Sequence, residues 1–150
     1  MRLYGANPVR PLSPGEVKKE LEKGDRPDNE FAFTIHALQN EKPIGIITLD
    51  GIQWNHGEGW LSVGLGEREY WGKGYGSDAI ELILRFAFAE LNLHRISLTV
   101  FEYNHRAIRV YERFGFVREG RARSFLKRDG RHWDLLFFGL LRSEWKSSVR

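Results

Sequence analysis

The most constraining feature of the chain is one unbroken succession: "WLSVGLG" (residues 60–66), a glycine-rich loop, a long apolar helical pattern and "RISLTVF" (residues 95–101). A strand, a loop, a helix and a second strand of this kind close as a right-handed βαβ unit, so the two strands lie parallel. The helical pattern, from about Gly76 to Leu91, has polar residues at Asp78, Glu81, Arg85 and Asn92, spaced by three, four and seven. Ile80, Leu82, Ile83, Leu84, Phe86, Ala87 and Leu91 spread over a wide arc that must be covered by a sheet. Glu81 and Arg85 form an i,i+4 pair on the outer side.

Antiparallel elements flank this unit. Phe31 to Leu38 and Ile44 to Trp54 read as a hairpin, joined at "QNEKP". Asn104 caps a second helix that runs to about Phe114 and ends at Gly115 in a left-handed conformation. Val117 to Lys127 and Arg131 to Leu141 read as a closing hairpin turned at "RDG". Upstream, "SPGE" opens a helix running to Lys23. The fold class is therefore α+β: a mixed, mostly antiparallel sheet with one central βαβ unit and helices on both faces. A length of 150 residues suits a single domain spanning 1–150.

Composition excludes more than it assigns. The chain has no cysteine, which removes disulfides, thiolate nucleophiles and Cys-based zinc sites and fits a cytoplasmic protein. No apolar run reaches membrane-spanning length, and "MRLYGANPVRPLSP" lacks the apolar core of a signal peptide. The histidines lack metal-ligand spacing, so no metal is expected. Net charge is +3, and the most basic stretch, Arg118 to His132, reads as solvated strand faces. Nucleic-acid binding is not expected, because no RNA-binding motif accompanies that stretch.

Glycines 72, 74 and 76 stand directly before the long helix. A helix N-terminus presents unpaired N–H groups and a partial positive charge, and glycine lets a diphosphate approach the backbone. Ser77 adds a hydroxyl and Lys73 a charge. The spacing is neither the P-loop G-x-x-x-x-G-K-[ST] nor the dinucleotide G-x-G-x-x-G. Taken alone, the loop leaves a structural glycine turn open as a competing reading.

"EREYWGKGYGSDAI", "LHRISLTVFEYNHRAIRVYERFGFVREGRAR" and "RDGRHWDLLFFGLLRSEW", in that order, resemble the GCN5-related N-acetyltransferases (GNAT), and within them the branch of ribosomal-protein alanine acetyltransferases. The resemblance implies acetyl-coenzyme A as cosubstrate and transfer of its acetyl group to a primary amine of a protein N-terminus or a small molecule. It places the coenzyme against Leu65 and Gly66, the loop Trp71, Gly72, Lys73, Gly74, Tyr75, Gly76 and Ser77, and Asn104 and Tyr111. Asn104 would position the coenzyme and Tyr111 would act as general acid. Trp71 stands where the wider family has Gln or Arg. A non-catalytic coenzyme-binding or interaction module of the same fold is the alternative.

Relative to that family, a first strand and helix, roughly 30–40 residues by ordinary element lengths, are expected to be missing or shortened. That would leave an exposed sheet edge and an opportunity for homodimer formation. Glycines 64 and 66 suit a bulge that splays the third strand from its parallel neighbour. The sequence does not single out a general base; Glu58, Glu67, Glu102 and His105 lie in plausible places.

Overall fold

The computed structural model describes residues 28–66 and 72–146. The helix expected to run to Lys23, and Trp71 and Glu67 of the loop, lie outside the described residues. Among the described residues, six strands form one sheet: β1 (Phe31–His36), β2 (Pro43–Gln53), β3 (Glu58–Leu65), β4 (Arg95–Phe101), β5 (Val117–Arg128) and β6 (Arg131–Leu141). Their spatial order is β1-β2-β3-β4-β6-β5. Only β3 and β4 pair in parallel; the other neighbours are antiparallel. The mixed sheet with one βαβ unit is as the sequence implies.

Strand alternation divides the sheet into two unlike faces. Register carries one apolar set across every strand but the last: Ile35, Ile47, Leu49, Leu61, Ile96, Leu98, Val100, Leu136, Phe138 and Leu140, all buried. Against this face pack α1 (Tyr75–Arg85), through Ile80, Ile83 and Leu84, and α2 (His105–Arg113), through Ile108 and Tyr111. The two helices also meet each other, since Arg113 Nη2 donates to Ser77 Oγ at 2.9 Å. Both crossovers, β3 to β4 and β4 to β5, are right-handed steps in one direction, which puts their helices on one side.

The long helix departs from its sequence reading in its second half. Phe86–Glu90 form a π-helical turn, closed by the Leu91 N–H donating to the Phe86 carbonyl at 2.9 Å. The wider turn carries Ala87 and Phe88 into the core and lets Phe86 meet the rings of Phe31 and Phe33 edge-on. Leu82, assigned to the sheet-facing arc, is 63% exposed. The Glu81–Arg85 pair forms at 3.9 Å.

The closing hairpin turns through Asp129 (φ 54°) and Gly130 (φ 72°), two positive dihedrals in succession that match the twist of the flanking strands. β6 begins before β4 ends: Leu135 pairs with Phe101, so the hairpin tip projects beyond the end of β4. At the opposite end, Arg95 on β4 reaches across β6 to a two-bonded ion pair with Glu119 on β5. That pair lies over Gly139, where any side chain would collide with it.

Candidate active site

β3 and β4 pair at Glu58–Arg95, Gly59–Ile96 and Trp60–Ser97, and the ladder ends there. β3 nevertheless runs on to Leu65 and β4 to Phe101. The two strands therefore diverge into a slot roughly 13 Å deep at ordinary strand rise. A bulge at Gly64 or Gly66 is not the cause. β3 stays in unbroken register with β2 from Asp50–Trp60 to Gly45–Leu65, and the Gly66 N–H still donates to the Ile44 carbonyl at 2.8 Å. Past Trp60, β3 stays paired with β2 and β4 with β6. Gly45 makes the closeness of β2 and β3 possible, since a Cβ there would overlap the Gly64 carbonyl oxygen.

At the open end of the slot, β3 leads through the loop into α1 and β4 leads directly into α2. Both helix N-termini thus converge where the parallel strands end, the position at which α/β folds bind ligands. Gly74 is the N-cap of α1, at φ 88° and with no side-chain cap. Among the described residues, a Cβ built at Gly74 meets no atom within 4 Å, and one at Gly76 meets only Leu65 Cδ1 at 3.9 Å. The first turn of α1 therefore opens on space, beside the last residue of β3. An anion held by the first-turn amides needs such space before the helix.

Cations surround this turn. Lys73 is exposed. A Cβ at Gly72 (φ 75°) would stand 3.8 Å from Arg106 Nη1, and Arg113 touches Ser77. Arg106 and Arg113 were not singled out by sequence reasoning. The signal was available, because both lie on the helix that Asn104 caps and the βαβ topology sets that helix beside α1. Tyr75 turns outward, donating its hydroxyl to Gln39 Oε1 at 2.6 Å in the β1–β2 turn.

Asn104 caps α2 as expected, its Oδ1 accepting the Ala107 N–H at 3.2 Å. Tyr111 is 7% exposed and meets Phe116 edge-on at 5.8 Å. α2 runs back along β4, so the seven residues from Asn104 to Tyr111 descend roughly 10 Å.

The candidate bases separate. Glu58 sits at the closed end of the slot, in register with Arg95. Glu102 is engaged by the Asp134 N–H, which donates to its Oε1 at 2.8 Å, and the pair extends the β4–β6 ladder. Glu102 and His105 line a cavity of about 210 Å³ with Ile108, Arg118, Arg121 and Leu136, on the β5 side of α2 and away from the slot. Among the described residues, no cluster of His, Asp or Glu could hold a metal ion.

A mixed sheet with a forked parallel pair and an amide-lined helix mouth at the fork is an acyl-coenzyme A binding architecture, and residues 1–117 match the acetyltransferase (GNAT) domain. The chain belongs to that family. It is 31% identical over 130 residues to the uncharacterized N-acetyltransferase YokL of Bacillus subtilis (strain 168), covering 87% of this chain and 70% of YokL. YdaF of the same organism, which carries a provisional ribosomal N-acetyltransferase name, is 38% identical over 79 residues, covering 53% of this chain and 43% of YdaF. The solved spermidine N-acetyltransferase of Vibrio cholerae, in complex with CoA and spermine, superposes with a TM-score of 0.78 at 29% identity. That match covers 89% of this chain and 78% of the solved one. The protein is an N-acetyltransferase that draws its acetyl group from acetyl-coenzyme A.

Proposed function

We propose that the slot between β3 and β4 is where acetyl transfer to a primary amine takes place, with Tyr111 as the proton donor. The observation that carries this reading is the end of the β3–β4 ladder at Trp60–Ser97, with two helix N-termini at the open end. The first-turn amides of α1 and the side chains of Lys73, Ser77 and Arg106 would hold the diphosphate, and Leu65 and Gly66 the arm of the coenzyme. Trp71 belongs to the same loop and is assigned to this set from its sequence position. Bound acetyl-coenzyme A supplies the acetyl group as a thioester, already activated for attack by an amine.

The chain has two tasks beyond binding. Tyr111, buried on α2, delivers its phenolic proton to the departing sulfur. Asn104 fixes the start of α2 through its cap and thereby the height of Tyr111. Neither task needs a nucleophile on the protein, in keeping with a chain that has no cysteine. The geometry favours neither Glu58 nor Glu102 as base, which supports proton removal from the amine by water. An N-terminal amine, with an ordinary pKa near 8, is neutral far more often at pH 7 than a lysine or polyamine nitrogen. A protein N-terminus is accordingly the proposed acceptor class.

Release of free thiol from acetyl-coenzyme A on addition of amine-bearing peptides tests the reading. Tight coenzyme binding without thiol release from peptides, polyamines or aminoglycosides would leave only a binding module. No helix among the described residues is long and apolar enough to cross a membrane. β1 forms an edge of the described sheet, and pairing of two copies there is part of the proposal. Sedimentation of the full chain tests it.

A further inference from the structure

The slot passes through the sheet and has two mouths. α1 and α2 lie on one face, with the cations that surround the loop. Among the described residues, the other face carries no helix and is the approach left to an amine attacking a thioester lodged in the slot. On that face, strand alternation sets Thr99 and Phe101 of β4, then Tyr103 just beyond it, beside Leu135 and Trp133 of β6. Phe101 stacks on Tyr103 at 5.6 Å, and Tyr103 meets Trp133 edge-on at 5.3 Å.

Two guanidiniums close this aromatic rim. Arg128 lies 5.1 Å from the centre of the Tyr103 ring and donates to its hydroxyl, while Arg131 lies 4.6 Å from the centre of the Trp133 ring. Both belong to the hairpin tip that projects past β4, where Arg128 pairs with Arg131. Trp133 Nε1 donates to the Arg128 carbonyl at 3.1 Å and fixes the tip. The nearby carboxylates turn elsewhere: Glu102 binds the Asp134 N–H, and Asp134 binds Arg121 and the Ser124 N–H on the helix-bearing face. Asp129, at the turn, sets one negative charge against Lys127, Arg128 and Arg131. Among the described residues, neither Arg128 nor Arg131 forms an ion pair with a carboxylate.

We infer that this rim selects an acceptor peptide whose residues just after the reactive N-terminus are acidic. The inference rests on the acetyl-transfer reading above. A guanidinium stacked on a ring keeps its N–H edge for a carboxylate, and the ring below holds it in place. The same rim repels a polycation, so spermidine is a poor acceptor here, in contrast to the spermine-bound V. cholerae enzyme.

The test uses the full chain and acetyl-coenzyme A with two lysine-free peptides that differ only in Asp or Asn at positions two and three, and with spermidine. The acidic peptide is expected to exceed its amide twin in kcat/KM by about tenfold or more, through KM, as charge-assisted contacts would produce. Salt should erode the advantage. In the Arg128→Gln, Arg131→Gln double variant the ratio of the two peptides should fall to near one. Equal wild-type rates for the two peptides, or a preference for spermidine, would overturn the inference and leave acetyl transfer standing. An undiminished ratio in the folded double variant would overturn it equally, and the wild-type comparison decides even if that variant does not fold. If no acceptor releases thiol, the transfer reading fails and this inference with it.

Discussion

Trp60 of β3 and Ser97 of β4 form the last paired register between the two parallel strands. Ser97 is 4% exposed and its hydroxyl accepts from Arg95 Nε at 3.2 Å, while Arg95 is clasped by Glu119. The closed end of the fork is thus tied across β4, β6 and β5. Past Trp60, among the described strands, β3 pairs with β2 and β4 with β6, so the open end lies between two halves of the sheet.

Tyr111→Phe should leave coenzyme affinity within about twofold and lower turnover by about tenfold or more, because only the proton donor is removed. Calorimetry and thiol-release rates check this. Equal turnover would return Tyr111 to its packing role against Phe116.

Gly74→Val should abolish coenzyme binding. The position is exposed and a Cβ there meets no atom of the described residues within 4 Å, but the side chain fills the space before the helix amides. A β-branched residue at φ 88° also strains the cap by about 1–3 kcal/mol. Calorimetric titration separates the two effects: lost affinity in a protein that still melts cooperatively supports the cradle.

Gly45→Ala should act on the fold rather than the site. Its new Cβ would press on the Gly64 carbonyl, which is backbone and cannot swing aside. A loss of about 1–3 kcal/mol is expected, a fall in Tm of roughly 3–10 °C for a chain of this size. An unchanged Tm would show that β2 and β3 are less closely held.

Asp134→Asn should lower Tm at neutral pH, with the difference shrinking in acid. The Ser124 N–H and then the Arg121 guanidinium hold the Asp134 carboxyl below its ordinary value. A depressed folded pKa gives stability that is complete above the unfolded value. That stability is lost as pH falls through the folded one. Thermal melts of both proteins from pH 7 to pH 2 check the sign; a difference that grows in acid would contradict it.

Much of the fold was legible because local signals agreed. Asn104 and Gly115 bracket α2 as a cap and a left-handed stop, and the turn at Asp129 and Gly130 sets the closing hairpin. The π turn at Phe86–Glu90 was hidden, since its residues are all acceptable in an ordinary helix and only packing against Phe31 and Phe33 distinguishes it. For the site, glycines 72, 74 and 76 were readable as a bare backbone. The fork itself was attributed to the wrong glycines. Gly64 and Gly66 suggested a bulge, whereas β3 keeps unbroken register with β2 there and lies close to it at Gly45, a relation between strands that no single segment displays. Arg106 was overlooked for the same reason, because its approach to Gly72 depends on helix placement.

The most direct test of the whole account is a crystal structure with acetyl-coenzyme A bound. The account predicts a diphosphate against the amides at the start of α1, the arm running between Leu61–Leu65 and Leu98–Phe101, and the sulfur beside the Tyr111 hydroxyl. Coenzyme found elsewhere, with β3 and β4 paired beyond Trp60 and Ser97, would contradict it.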